Sequence, residues 1–159
     1  MRLRQGCSGM WIAAAVAVID QITKAIMRSG SISFRIGNLF AIRPVENTGV
    51  AFSMLADGGI ALTIGTALII AAVAGWLIAS PTALPKWARA GMWMIVGGGL
   101  GNLYDRAVYA GVTDFIEPLF VRFAVFNVAD IAIVCGAALT ALAVIIDEKR
   151  KETAHERKI

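Results

Sequence analysis

Four stretches of the chain are almost continuously apolar, with short polar segments between them. Windows at about 7–27, 60–80, 90–108 and 127–146 each approach the roughly 20 mainly apolar residues a helix needs to cross a bilayer. The second holds no charge, and Pro81 and Pro85 close it, because proline lacks an amide donor and restricts the residue before it. The first contains Asp20 and Lys24, the third Asp105 and Arg106 near its end, and the fourth Asp130 near its start. Between the first two windows, residues 31–36 alternate polar and apolar positions, the period of a strand. Residues 119–126 are rich in Phe and Val, which also suits a strand. The pattern predicts an all-α membrane protein, a four-transmembrane-helix bundle with a small sheet on the outer leaflet. Residues 1–159 are expected to form a single integral membrane domain, with 147–159 as a polar tail that is a frayed helix or disordered.

Composition supports this picture. The chain is 58% hydrophobic and only 8% aromatic, with 16 Gly, so small residues dominate and suit close helix packing in lipid. The net charge of +4 does not point to nucleic acid, since many basic residues flank apolar windows, as membrane topology requires. Arg2, Arg4, Lys86, Arg89, Lys149, Arg150, Lys151, Arg157 and Lys158 fall on the side of the termini, and Arg28, Arg35, Arg43, Arg106 and Arg122 on the other. The bias places both termini in the cytoplasm and loops 28–59 and 109–126 outside. The basic start Met1–Arg4 resembles a signal peptide, but the run after it carries Asp20 and Lys24 and no clear cleavage site, so it is read as a retained helix. Cys7 and Cys135 form no disulfide or metal framework, and His155 lies in the charged tail.

Ionisable groups inside a membrane cost about 2.5–3.5 kcal/mol each on insertion scales, so their retention needs a reason. With this topology Asp20, Lys24, Asn102, Asp105, Arg106 and Asp130 share one depth, and Asn47 and Asp114 lie in the adjoining outer loops. One polar site at the outer membrane boundary is expected. Each residue also has a structural role open to it. Asp20 and Lys24 are spaced i, i+4 and can pair to hold helices together; Asn102 and Arg106 share that spacing. Asp105 and Arg106 can form an interfacial pair or anchor a helix end, Asp114 can sit in a turn, and Asn127-x-x-Asp130 resembles a capping box. Gly97, Gly98, Gly99 and Gly101 form a bare surface against which a neighbouring helix or a substrate chain can lie.

No His or Cys cluster suits zinc, and no Gly-rich phosphate loop is present. Two chemistries remain: a pair of aspartates that shares a proton and activates water, or a Ser53–Lys24 dyad. Composition does not select which aspartates pair. A proton- or ion-coupled transporter is a third option, although no chain of polar groups leads toward the cytoplasm.

Five segments then carry a resemblance. They are Asp20-Gln21-Ile22-Thr23-Lys24, Glu46-Asn47-Thr48-Gly49-Val50-Ala51-Phe52-Ser53, the Gly98–Arg106 stretch with Asn102 and Asp105, Val112-Thr113-Asp114-Phe115, and Phe126-Asn127-Val128-Ala129-Asp130. In that order they resemble the motifs of lipoprotein signal peptidase, also called signal peptidase II; the stretch between Phe115 and Phe126 is rather short for the family. The resemblance implies four transmembrane helices, a small extracytoplasmic β-cradle, and a membrane aspartic endopeptidase. Its substrates would be diacylglyceryl-modified bacterial prolipoproteins, cut on the amino side of the lipidated Cys. Asp114 and Asp130 map onto the catalytic pair. Asn47, Gly49, Asn102, Arg106 and Asn127 map onto residues lining the site, with Asp20, Lys24 and Asp105 supporting it. The resemblance further implies the inner membrane, contact with membrane lipid, inhibition by globomycin, and no cofactor or metal. A monomer is expected.

Overall fold

The computed structural model describes residues 7–48 and 58–156, so Gly49 and Ser53 lie outside the described residues. Helix α1 (Met10–Arg28) leads to strands β1 (Phe34–Ile36) and β2 (Phe40–Asn47). Helices α2 (Gly58–Ala79) and α3 (Lys86–Tyr109) follow, then strand β3 (Val112–Pro118) and helix α4 (Val128–Glu156). Met10–Arg28, Ile60–Ala79 and Val128–Glu156 are long and apolar enough to cross a membrane. Helix α3 has the length but not the hydropathy, because its glycines and the polar group Asn102, Asp105 and Arg106 dilute its apolar residues. The tail expected to fray or be disordered continues α4 as far as Glu156.

Helix α3 packs on all three other helices. Successive residues on a helix turn by about 100°, and the glycines at 97, 98 and 99 face different neighbours. A Cβ on Gly97 would strike the Ala13 backbone of α1, one on Gly98 the carbonyl of Ala129 in α4, and one on Gly99 the side chain of Ile70 in α2. Gly101 abuts Asp20, so Gly97 and Gly101 both seat α1, as their spacing predicts. The bare surface is therefore filled by the chain's own helices. Between α1, α2 and α3 lies a core of Ala13, Ile70, Leu77, Trp93 and Val96. At the opposite end of α3, buried Arg89 donates through Nη2 to the Leu77 carbonyl (2.7 Å) and through Nε to that of Ser8 (3.4 Å), tying the last turn of α2 to the start of the chain.

The strands form one antiparallel sheet in the order β1-β2-β3. Strand β3 lies at Val112–Pro118 rather than at the expected 119–126; the later segment turns back, and Phe126 pairs with Ile116 as an isolated bridge. The bulky residues that suggested a strand there are largely exposed, Phe120 and Phe123 among them, while Val112 to Phe115 are buried. Between β2 and β3 the register shifts by one residue: Ile42 pairs with Ile116, but Val45 pairs with Asp114 and Asn47 with Val112. This is a bulge at Arg43 and Pro44, where a proline without an amide donor is tolerated.

Candidate active site

The start of α4 organises the site. Asn127 precedes the helix, and its Oδ1 accepts the amide of Asp130 (3.0 Å) while Asp130 Oδ2 accepts the amide of Asn127 (3.1 Å), a reciprocal capping box. The Asn127 side-chain amide then donates to Asp114 Oδ1 (2.7 Å) and Asn102 Oδ1 (3.1 Å). One fully buried asparagine thus touches both aspartates, the first through its side chain and the second through its backbone.

Each carboxylate has a second amide. Asn47 Nδ2 donates to Asp114 Oδ2 (2.8 Å), and Asn102 Nδ2 donates to Asp130 Oδ1 (2.8 Å). Asn47 and Val112 are opposite in the ladder and Asp114 lies two positions beyond Val112, so the sheet presents Asn47 and Asp114 on one face. Asp114 is 3% exposed while Asp130 is half-buried. Burial pushes the Asp114 carboxyl above the usual aspartate range. The Asn47 and Asn127 donors pull against this, and the nearby Asp130 carboxylate adds to it.

Behind this pair lies a buried ionic cluster. Lys24 Nζ is 2.9 Å from Asp20 Oδ2, 3.2 Å from Asp105 Oδ2 and 2.8 Å from Asn102 Oδ1, which uses all three ammonium protons. Lys24, Asp20 and Asp105 are fully buried. Asp20 Oδ1 accepts the Ala129 amide (2.9 Å), so the cluster grips the first turn of α4 directly. Because Lys24 donates to Asn102 Oδ1, the other end of that amide must face Asp130. An ammonium held this way does not suit the neutral amine that a serine–lysine dyad needs.

Two expected pairings differ. Asp105 joins Lys24 and Arg28 rather than Arg106, since neighbouring positions on a helix point apart. Half-buried Arg106 donates to the Asn102 backbone carbonyl at 3.5 Å rather than to its side chain. Asp114 is a strand residue, not a turn residue.

Sequence reasoning missed three contributors. Gln21 Nε2 donates to the Gly101 carbonyl (3.0 Å) and Asp105 Oδ1 (2.9 Å). Arg28 Nη1 donates to Thr113 Oγ1 (3.0 Å), and its guanidinium stacks on Tyr109 at 4.3 Å. Thr113 gives its backbone amide to Asp105 Oδ2 (3.0 Å), which fixes β3 one residue before Asp114. Gln21, Lys24 and Arg28 stand at i, i+3 and i+7, a polar stripe visible in the sequence. A cavity of about 400 Å³ beside β2 and β3 is lined by Arg28, Val45, Glu46, Tyr109 and Thr113.

The family model described as signal peptidase (SPase) II matches residues 12–146. A lipoprotein signal peptidase of Pseudomonas paraeruginosa is 36% identical over 156 residues, covering 92% of each chain. One from Thermosynechococcus vestitus is 36% identical over 133 residues, covering 79% of this chain and 84% of its own. A bacterial membrane enzyme solved at 1.9 Å superposes with a TM-score of 0.76 at 28% identity, over 86% of this chain and 92% of that one.

Proposed function

The chain belongs to the signal peptidase II family, and we propose that it is an aspartic endopeptidase whose catalytic pair is Asp114 and Asp130. It removes signal peptides from prolipoproteins. The observation that carries the aspartic reading is Asn127, which binds Asp114 with its side chain and Asp130 with its backbone.

Two carboxylates held by one asparagine share one proton. The more deeply buried Asp114, pushed up by its surroundings, holds it and hydrogen-bonds the scissile carbonyl oxygen. Asp130 acts as base on a water, which attacks the carbonyl carbon and gives a tetrahedral intermediate. The proton taken by Asp130 then passes to the leaving nitrogen as the peptide bond breaks. Asn47, Asn102 and Asn127 keep the carboxylates in place, and the Asp20–Lys24–Asp105 cluster holds Asn102 and α4. Arg106 completes the lining on the substrate side; Gly49, assigned to substrate binding by its motif, lies outside the described residues. No cofactor enters this scheme.

In the full proposal residues 1–159 form one membrane domain and α3 is a fourth crossing, made tolerable because its polar end is satisfied by α1 and α4. Both termini are cytoplasmic, the aspartates lie at the outer face of the inner membrane, and the sheet rests on the outer leaflet. The substrate carries diacylglycerol on the cysteine that follows the cut, so its cleavage site and the aspartates share a depth, and membrane lipid borders the site. The working unit is a monomer, and globomycin inhibits by occupying the aspartate pair.

The test is cleavage of a purified diacylglyceryl-modified precursor, with and without globomycin. Asp114→Asn and Asp130→Asn are each expected to abolish cleavage in folded protein, while Ser53→Ala retains it. Near-normal turnover by either aspartate variant overturns the assignment.

A further inference from the structure

A second feature lies at the far end of the molecule and does not depend on the aspartates. A groove of about 300 Å³ lies between the start of α3 and the later turns of α4, lined by Leu139, Leu142 and Ile146, with exposed Trp87 across from them and Arg150 furthest along α4. Trp87 is 71% exposed and Leu142 57%, so the groove is open from the side.

Its position along the helix sets the depth. From Val128 to Ile146, α4 rises about 27 Å at 1.5 Å per residue, close to the roughly 30 Å of a hydrocarbon core. With the polar start of α4 at one boundary, Ile146 reaches the other and Arg150 stands one turn beyond it, at headgroup level. Trp87 sits beside it, where aromatic rings concentrate in membrane proteins.

Charge selects the occupant. Asp147 also lines the groove, but Lys151 takes it at 2.6 Å. Among the described residues Arg150 has no carboxylate partner, and 147–151 holds three cations against two carboxylates. An apolar floor two turns long, leading to an uncommitted guanidinium at the headgroup boundary, follows the polarity of a lipid with an anionic head.

We propose that this groove holds one anionic phospholipid of the leaflet on the side where α4 ends. One acyl chain lies against Leu139, Leu142 and Ile146, and the phosphate meets Arg150.

Brominated lipids quench nearby tryptophan, and Trp87 can be isolated by subtracting the emission of a Trp87→Phe variant from that of the full chain. This removes Trp11, Trp76 and Trp93. One arm titrates brominated phosphatidylglycerol into plain phosphatidylcholine, and the other titrates brominated phosphatidylcholine into plain phosphatidylglycerol. The expected result is an apparent association at Trp87 about fivefold tighter for the anionic lipid, the worth of one cation near the surface. Arg150→Gln should bring that ratio close to one, and Arg150→Lys should keep most of it. Equal quenching by both lipids in the full chain overturns the proposal, as does an undiminished ratio in Arg150→Gln. Emission of the Trp87→Phe background, which keeps buried Trp93, reports whether each variant is folded.

Discussion

Replacing Lys24 by Met removes the cation from the buried cluster while keeping most of the side chain's volume. Asp20 and Asp105, both fully buried, lose their ammonium partner at 2.9 and 3.2 Å. Breaking a buried pair by deleting one partner costs about 3–5 kcal/mol, because the remaining charge stays uncompensated. The loss is not doubled for two carboxylates. Asp105 keeps Arg28 at 3.4 Å, and Asp20 keeps the amides of Ala129 and Gln21. A loss of about 3–5 kcal/mol is a large share of the roughly 5–15 kcal/mol that separates folded from unfolded states. Reversible unfolding in mixed detergent micelles, followed by tryptophan emission, measures it. Adding Asp20→Asn to the Lys24→Met chain should recover at least about 1 kcal/mol, since a neutral amide needs no counter-charge. A loss below about 1 kcal/mol for the single change, or no recovery in the double, would refute the view that this cluster is electrostatically closed.

Asn47→Ala removes a donor that stabilises the charged form of Asp114 and so lowers its pKa. The Asp114 pKa therefore rises further, and the alkaline limb of the pH profile of kcat/KM, where Asp114 loses its proton, should move to higher pH; an unmoved limb counts against Asp114 as the titrating acid. Gly98→Ala drives a methyl into the Ala129 carbonyl and should cost about 1–3 kcal/mol and much of the activity, whereas Gly75→Ala, with open space around it, should be neutral or slightly stabilising. Thermal midpoints and cleavage rates of the pair separate crowding from helix propensity. Arg89→Met frees the Leu77 carbonyl at the end of α2 and should lower stability by about 1.5–3 kcal/mol with kcat unchanged in the folded fraction; a fall in kcat would tie this distant end to the chemistry.

Features set by local spacing were legible in the sequence. The helical windows, the Asp20–Lys24 pair, the capping box of Asn127 and Asp130, and the shared seat of Gly97 and Gly101 follow from periodicities within a few residues. Features that depend on distant partners were not. Spacing left open which aspartates meet; the motif resemblance pointed to Asp114, and its contacts with Asn47 and Asn127 span 67 and 13 positions. Strand β2 was not anticipated, because Arg43, Pro44 and Glu46 break its alternation. Strand β3 was misplaced onto Leu119–Phe126, since propensity favours Phe and Val wherever they fall, whereas the real strand is fixed by pairing with β2 and by the Asp105 carboxylate on Thr113. Arg28 and Arg89 were counted only as topology signals, yet each makes contacts that no local pattern encodes.

The extra residue at Arg43–Pro44 decides which side chain meets Asp114. Were the ladder to continue evenly from the Ile42–Ile116 pair, Pro44 would stand opposite Asp114 and Glu46 opposite Val112. The diagonal place now held by Asn47 would go to Glu46, setting a third acid beside Asp114 and Asp130. A slip of a single position thus turns an amide donor into a repelling charge. Two penalties oppose it: like charges set side by side, and a proline that has no N–H to give the ladder. The kink is a spelling rule for the site, keeping acid and amide in their proper columns.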